Sequence, residues 1–166
     1  MNIHITPYTI VIDTREQHPF SFTGFAADAK QKYRDLLVLT ETGTLKTGDY
    51  SLKGFETRIA GERKSLSDAY NTFGNNRARW ERELKRLAEM EFAFIVTEAS
   101  WPSILSYEPP PSASGRQFTP KHFYRSVISW QIDYPTIHWW FCSTRRFAER
   151  TTLRILEHYW KEQQHG

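Results

Sequence analysis

Two short apolar runs, each closed by an acid, constrain the fold of this chain most. Tyr8-Thr9-Ile10-Val11-Ile12 is a β-branched run ending at Asp13, and Phe92-Ala93-Phe94-Ile95-Val96-Thr97 is an uninterrupted apolar run ending at Glu98. Both read as buried strands. Leu36-Leu37-Val38-Leu39 is another short strand, and residues 135–141 form one more. Residues 50–62 read as a hairpin: two alternating segments flank the turn residue Gly54. Between the strands lie helical patterns. Ser65 followed by Asp68 has the spacing of a helix N-terminus, and that helix ends near Gly74. A second helix runs from about residue 77 to 91, with Trp80, Leu84, Leu87 and Ala88 at helical spacing. A third covers 120–131, and Ser143 or Thr144 caps a last one reaching about Trp160. This alternation predicts an α/β fold with a central mixed sheet flanked by helices. In such folds, polar strand ends such as Asp13 and Glu98 are where sites gather.

A chain of 166 residues is expected to form a single domain with one core. The Pro-rich loop 108–115 is too short for an interdomain linker. No run of apolar residues is long enough to span a membrane. The first seven residues lack the charged-then-apolar pattern of a signal peptide, so an intracellular location is expected. The single cysteine, Cys142, excludes an intrachain disulfide and reads as a buried small residue. The six histidines show no ligand spacing, so no zinc is assigned. A net charge of +3 is compatible with a polyanionic partner but decides little. Its distribution says more: Arg77, Arg79, Arg82, Lys85 and Arg86 face few acids, as do Arg145, Arg146, Arg150 and Arg154.

The densest chemistry lies in Gly48-Asp49-Tyr50, Gly61-Glu62-Arg63-Lys64-Ser65 and Asp68. Two carboxylates about 4 Å apart, at an effective dielectric of about 20, repel by roughly 4 kcal/mol. A hard divalent cation removes that repulsion and suits one or two carboxylates plus phosphate oxygens. On a strand, Glu62 and Lys64 share one face, so the lysine ammonium sits where a phosphate or hydroxide would lie. A metal beside an ammonium is the minimum equipment for phosphodiester cleavage.

Each of these residues also has an ordinary reading. Asp49 is a common turn residue after glycine, and Glu62 a solvated strand end. Asp13 is a turn or cap residue, and Arg15 neutralises Asp13 or Glu16. Arg63 faces the other side of the strand, where it pairs with an acid or touches DNA. Asp68 is a helix-capping acid. The stripe of Arg79, Arg82 and Arg86 is a solvated helix face paired with Glu83, or a phosphate-binding face. Trp130, Tyr134, Trp139, Trp140 and Phe141 read as core and interface before base stacking.

Taken in order, Asp13-Thr14-Arg15-Glu16, Gly48-Asp49-Tyr50, Glu62-Arg63-Lys64 and Asp68 resemble the nuclease domain of the XPF family of structure-specific DNA endonucleases, XPF- and Hef-like. Arg79 matches a further basic position. The resemblance covers roughly residues 8–160 and implies a restriction-endonuclease-like α/β core. It implies Mg²⁺ or Mn²⁺ held by Asp49, Glu62 and Asp13, with Lys64, Arg63 and Asp68 completing the catalytic set. It implies DNA contacts from Arg15, Arg79, Arg82 and Arg86. The expected activity is cutting of branched DNA, at flap or fork junctions, in repair or recombination. The family's helix-hairpin-helix module is not in this sequence, so a homodimer or a partner protein supplying that module is expected. Two other functions compete: a silent DNA-binding subunit, and a nuclease without junction preference from a phage or mobile element. The presence of the acids and Lys64 disfavours the silent subunit.

Overall fold

Alternation along single strands divides the core into two layers. In β6 (Phe92–Thr97), Phe94 and Val96 join one apolar cluster while Ala93 and Ile95 join another. The chain therefore buries both faces of its sheet, and helices must cover each side. The computed structural model describes residues 3–27, 35–112 and 114–166.

Seven strands form one mixed sheet: β1 (Ile3–Asp13), β2 (Phe25–Ala26), β3 (Asp35–Gly43), β4 (Tyr50–Leu52), β5 (Ile59–Lys64), β6 and β7 (Ile137–Phe141), in the order β2-β3-β1-β4-β5-β6-β7. The pairs β1–β3, β5–β6 and β6–β7 are parallel, and β1–β4, β4–β5 and β2–β3 are antiparallel. Helices α1 (Leu66–Phe73), α2 (Arg77–Ala88), α3 (Trp101–Leu105) and α4 (Pro120–Asp133) contribute to the cluster around Ala93 and Ile95. Helix α5 (Arg145–Gln163) covers the opposite face with Ala148, Leu153 and Leu156. The expected mixed sheet between helices is what the chain forms.

Local caps place the helices. Ser65 Oγ accepts the Asp68 N–H at 3.2 Å and starts α1. Thr144, one of the two caps expected for the last helix, accepts the Phe147 N–H at 3.1 Å. Cys142 is buried, as expected.

Several elements differ from expectation, among them the two-residue strand β2, which no sequence pattern marks. Strand β1 begins earlier, because its first residues pair with β3, and the register shifts between Ile5 and Thr9 around Pro7. Proline has no N–H to give a ladder, so a strand tolerates it at such an irregularity. Strand β3 runs on to Gly43 along the same partner. The second arm of the hairpin starts at Ile59 rather than Phe55, since turn bonds such as Arg58 N to Phe55 O (2.8 Å) take residues 55–58 out of the ladder. Helix α3 has five residues, too few for a period to register, and is marked only by its Ser100 cap and Pro102. The loop at 108–115 has no helix or strand at its described positions, and residue 113 lies outside them. Among the described residues no helix is long and apolar enough to cross a membrane.

Candidate active site

The corner at Gly48-Asp49 ties two strand systems together. Asp13 N–H donates to the Asp49 carbonyl (2.8 Å), and Asp49 N–H donates to the Gly61 carbonyl (2.7 Å). Gly48 has φ of +76°, and a Cβ there would lie 3.0 Å from the Gly61 oxygen and 3.2 Å from Ala60 Cβ. Only glycine accepts both the backbone angle and the close approach. Tyr50 is fully buried, its ring stacked on Phe20 at 5.2 Å, and its hydroxyl accepts the Phe20 N–H at 2.8 Å. The motif thus locks the backbone and sends the Asp49 side chain into a cavity.

That cavity, about 680 Å³, is shared by Asp49, Glu62, Lys64, Asp13 and Asp68. Glu62 Oε1 meets Lys64 Nζ at 2.6 Å, as expected for residues two apart on one strand face. Asp49 Oδ2 accepts the Arg63 N–H at 2.8 Å. Burial, then the neighbouring Glu62 charge, push the Asp49 carboxyl well above its ordinary value. Burial likewise raises Glu62, against the opposing pull of Lys64. Burial alone would lower the lysine, but the Glu62 charge and hydrogen bond hold Lys64 above its ordinary value, as an ammonium. That ammonium lies over the buried Trp80 ring at 5.1 Å.

Among the described residues, Asp49 Oδ1 and Glu62 Oε2 have no hydrogen-bond partner. Two mutually repelling carboxylates with free oxygens in one cavity fit a hard cation, which completes its shell from water and phosphate oxygens. Among the described residues no group of three or more His, Cys, Asp or Glu is arranged around a metal position.

Asp13, expected as a third metal ligand, has both oxygens engaged. Oδ1 accepts the Arg15 backbone N–H and Nε, at 2.9 and 2.7 Å. Oδ2 accepts Arg15 Nη2 (3.0 Å) and the Leu45 N–H (2.7 Å). Burial opposes ionisation, yet these bonds and the guanidinium charge hold its carboxyl below the ordinary value. Asp13 borders the cavity as an anchor for the strand end. Arg15 also donates to the Leu45 carbonyl at 2.7 Å, which leaves its Nη1 hydrogens toward solvent and the cavity rim.

The Arg63 guanidinium, expected in the catalytic set, lies on the other face of β5. It bonds Glu98 at 2.6 Å and approaches Glu16 at 3.6 Å. Its contribution to the cavity is the backbone N–H on Asp49. Asp68 gives its backbone N–H to the Ser65 cap, its carboxylate makes no capping bond among the described residues, and the exposed residue lines the cavity. Arg79 and Arg86 also line the cavity, whereas the exposed Arg82 does not.

Glu83, Trp80 and Glu98 take supporting roles that their sequence positions do not show. Glu83 accepts the Gly48 N–H at 3.3 Å and also binds Thr47 Oγ1 and Arg86, so it clamps the loop that aims Asp49. Burial opposes its charge, but those bonds keep the Glu83 carboxyl below its ordinary value. Trp80 is a floor for Lys64 as well as core. Glu98 joins Arg63 to Arg145 (2.9 Å), and Arg145 also holds the His18 and Pro19 carbonyls. Arg146 is likewise spent on the carbonyls of Thr23 and Gly24 and on Glu149. The second basic zone of the sequence is therefore largely an internal brace.

Comparison with known proteins follows the same outline. The solved structure of XPF from Aeropyrum pernix superposes with a TM-score of 0.56 at 20% identity, over 90% of this chain and 62% of that one. The same protein in complex with DNA superposes with a TM-score of 0.60 at 20% identity, over 93% and 66% of the two chains. This chain thus spans roughly two thirds of that structure's length. A search of curated proteins returns no match. The ERCC4 domain profile matches residues 12–152, a stretch that contains every strand-end acid of the cavity, and the chain accordingly belongs to the ERCC4 domain family.

Proposed function

We propose that the chain is a divalent-metal-dependent endonuclease that hydrolyses DNA phosphodiesters at branched or duplex–single-strand junctions. The observation that carries this reading is the placement of Asp49 and Glu62 in one cavity, raised in pKa by burial and repulsion, beside the Lys64 ammonium. Family membership and the fold shared with an XPF solved in complex with DNA support it.

Asp49 and Glu62 would hold Mg²⁺ or Mn²⁺, which when bound would supply Lewis-acid polarisation of a phosphate and a lowered pKa for a water. Lys64, fixed over Trp80, offsets negative charge as it builds on the attacked phosphoryl oxygens. Arg79 and the free Nη1 of Arg15 neutralise flanking phosphates, which sets affinity and salt dependence but reads no sequence. Glu83 and the Arg63 backbone hold Asp49 in place. Junction preference, a role in repair or recombination, and a dimer or helix-hairpin-helix partner come from the family and belong to the same proposal.

The test offers purified protein, with Mg²⁺ or Mn²⁺, to flap, fork, Holliday-junction, duplex and single-stranded DNA. Cutting confined to branched substrates, and lost in Asp49→Asn, is the expected result. Uniform cutting contradicts the junction preference. No cutting of any substrate contradicts the enzyme and favours a silent DNA-binding subunit.

A further inference from the structure

A second large cavity, about 930 Å³, lies beyond the α1–α2 turn, between that turn, the loop before α4 and α4 itself. Its character differs from that of the catalytic cavity. Arg77, Arg116 and Arg125 line it together with Phe118 and His122, and no acid does. The sequence explains the imbalance: no Asp or Glu occurs between Glu108 and Asp133. Arg116 and Arg125 are exposed and have no ion-pair partner among the described residues. Arg77 is braced by Ser126 Oγ (2.7 Å) and Glu81 (3.0 Å) and lies over Trp130 at 4.7 Å. The His122 ring is exposed and nearly parallel to Phe118, with centroids 5.9 Å apart and planes 23° apart.

Shared lining residues link the cavity to the catalytic one by way of a smaller groove. Asn71 borders both the catalytic cavity and a smaller groove. Asn75, Ser112 and Phe118 border both that groove and the basic cavity. The eight residues of α1 span only about 12 Å, so the two sites stand a few nucleotides apart.

We infer that this cavity holds the unpaired DNA strand that leaves the scissile phosphate, over the α1–α2 turn. The inference rests on the nuclease reading for its direction, but its chemistry is its own. Unpaired guanidinium groups suit a polyanion backbone, and the exposed His122 ring beside the half-buried Phe118 ring suits a base. A duplex keeps its bases stacked and cannot use the Phe118–His122 pair, whereas a single strand offers a base face at every nucleotide. Such a site gives the nuclease domain its own means of recognising a junction.

The test measures binding of a short oligo(dT) and of a blunt duplex of equal length by fluorescence anisotropy, without divalent ion, from about 50 to about 200 mM salt. Arg116→Ala/Arg125→Ala is expected to bind the single strand more weakly, with a log–log salt slope shallower by about 1.4. The Lys/Lys double variant restores the slope. His122→Gln, which keeps a polar group at the third residue of α4, is expected to weaken single-strand binding about tenfold while duplex binding changes far less. Equal affinity and slope in wild type and the Ala/Ala variant overturn the inference. So does an equal loss for duplex and single strand, or a wild type with no salt-dependent oligo(dT) binding, the result if the cavity takes a protein segment instead. A wild type that binds as expected but cuts no substrate retains this site and contradicts the nuclease reading alone.

Discussion

Asp49 Oδ2 accepts the Arg63 backbone N–H at 2.8 Å, which pins a carboxylate against the strand that carries Glu62. The bond orients the side chain, but it does not relieve the burial and the Glu62 charge that raise its pKa. A carboxyl whose pKa is higher folded than unfolded favours the fold when protonated. That contribution is lost as pH rises through the folded value. Asp49→Asn, whose amide oxygen can still accept the Arg63 N–H, is therefore expected to abolish cleavage and to raise the metal-free melting temperature near neutral pH. Each kcal/mol of relieved repulsion is worth about 2–4 °C in a domain of this size. The gain shrinks as pH is lowered and the wild-type carboxyl protonates. Calorimetry of both proteins across pH checks this, and an Asn variant less stable than wild type at neutral pH contradicts it.

Glu62 and Lys64 form one unit. Removing either is expected to reduce cleavage by about 10²–10³-fold, the scale of losing an electrostatic group at a reacting phosphate. Lys64→Ala also leaves Glu62 buried without its counter-charge, at a cost of about 1–3 kcal/mol. Glu62→Gln/Lys64→Ala together should recover much of that stability but none of the activity. A double-mutant cycle in chemical denaturation measures the coupling, and strictly additive losses would mean that the pair does not interact.

Asp13 distinguishes an anchor from a ligand. Its pKa is lower folded than unfolded, so its stabilisation is present above the unfolded value, near the ordinary 3.8, and is lost as pH falls through the folded value. Asp13→Ala strands the buried Leu45 N–H and should cost about 1–3 kcal/mol at neutral pH, with the difference from wild type narrowing in acid. Metal affinity measured by titration calorimetry in the folded variant should change little. A collapse of metal affinity without loss of stability would restore Asp13 as a ligand.

Arg79 and Arg82 look alike in sequence but differ in place, since only Arg79 borders the cavity. Arg79→Ala should weaken duplex binding at low salt and make the log–log salt slope shallower by about 0.9. Arg82→Ala should leave both nearly unchanged. Equal effects from the two would mean that DNA approaches α2 along its whole outer face.

Local rules made part of this legible. The strand-end acids, the same-face pairing of Glu62 with Lys64, the Ser65 cap and the Trp80–Leu84–Leu87 stripe each depend on neighbours a few residues away. The missing pieces depend on distant partners. Strand alternation turns the Arg63 guanidinium away from Glu62 and Lys64, but its acid partner, Glu98, lies 35 residues away. Glu83 sits three residues before Arg86, which suggested a surface pair, while its structural role toward Gly48 crosses 35 residues. Arg145 and Arg146 form a basic run in sequence, but their carbonyl partners lie more than a hundred residues earlier. Spacing alone does not show that Arg15 and Leu45 occupy the acceptor positions of Asp13.

Whether Asp49 and Glu62 share one cation beside Lys64 can be read from anomalous diffraction of a crystal soaked in Mn²⁺. A manganese peak within ligand distance of both Asp49 Oδ1 and Glu62 Oε2, lost in Asp49→Asn, is the expected result. A peak bound elsewhere, or none at a concentration that saturates the protein in solution, contradicts it.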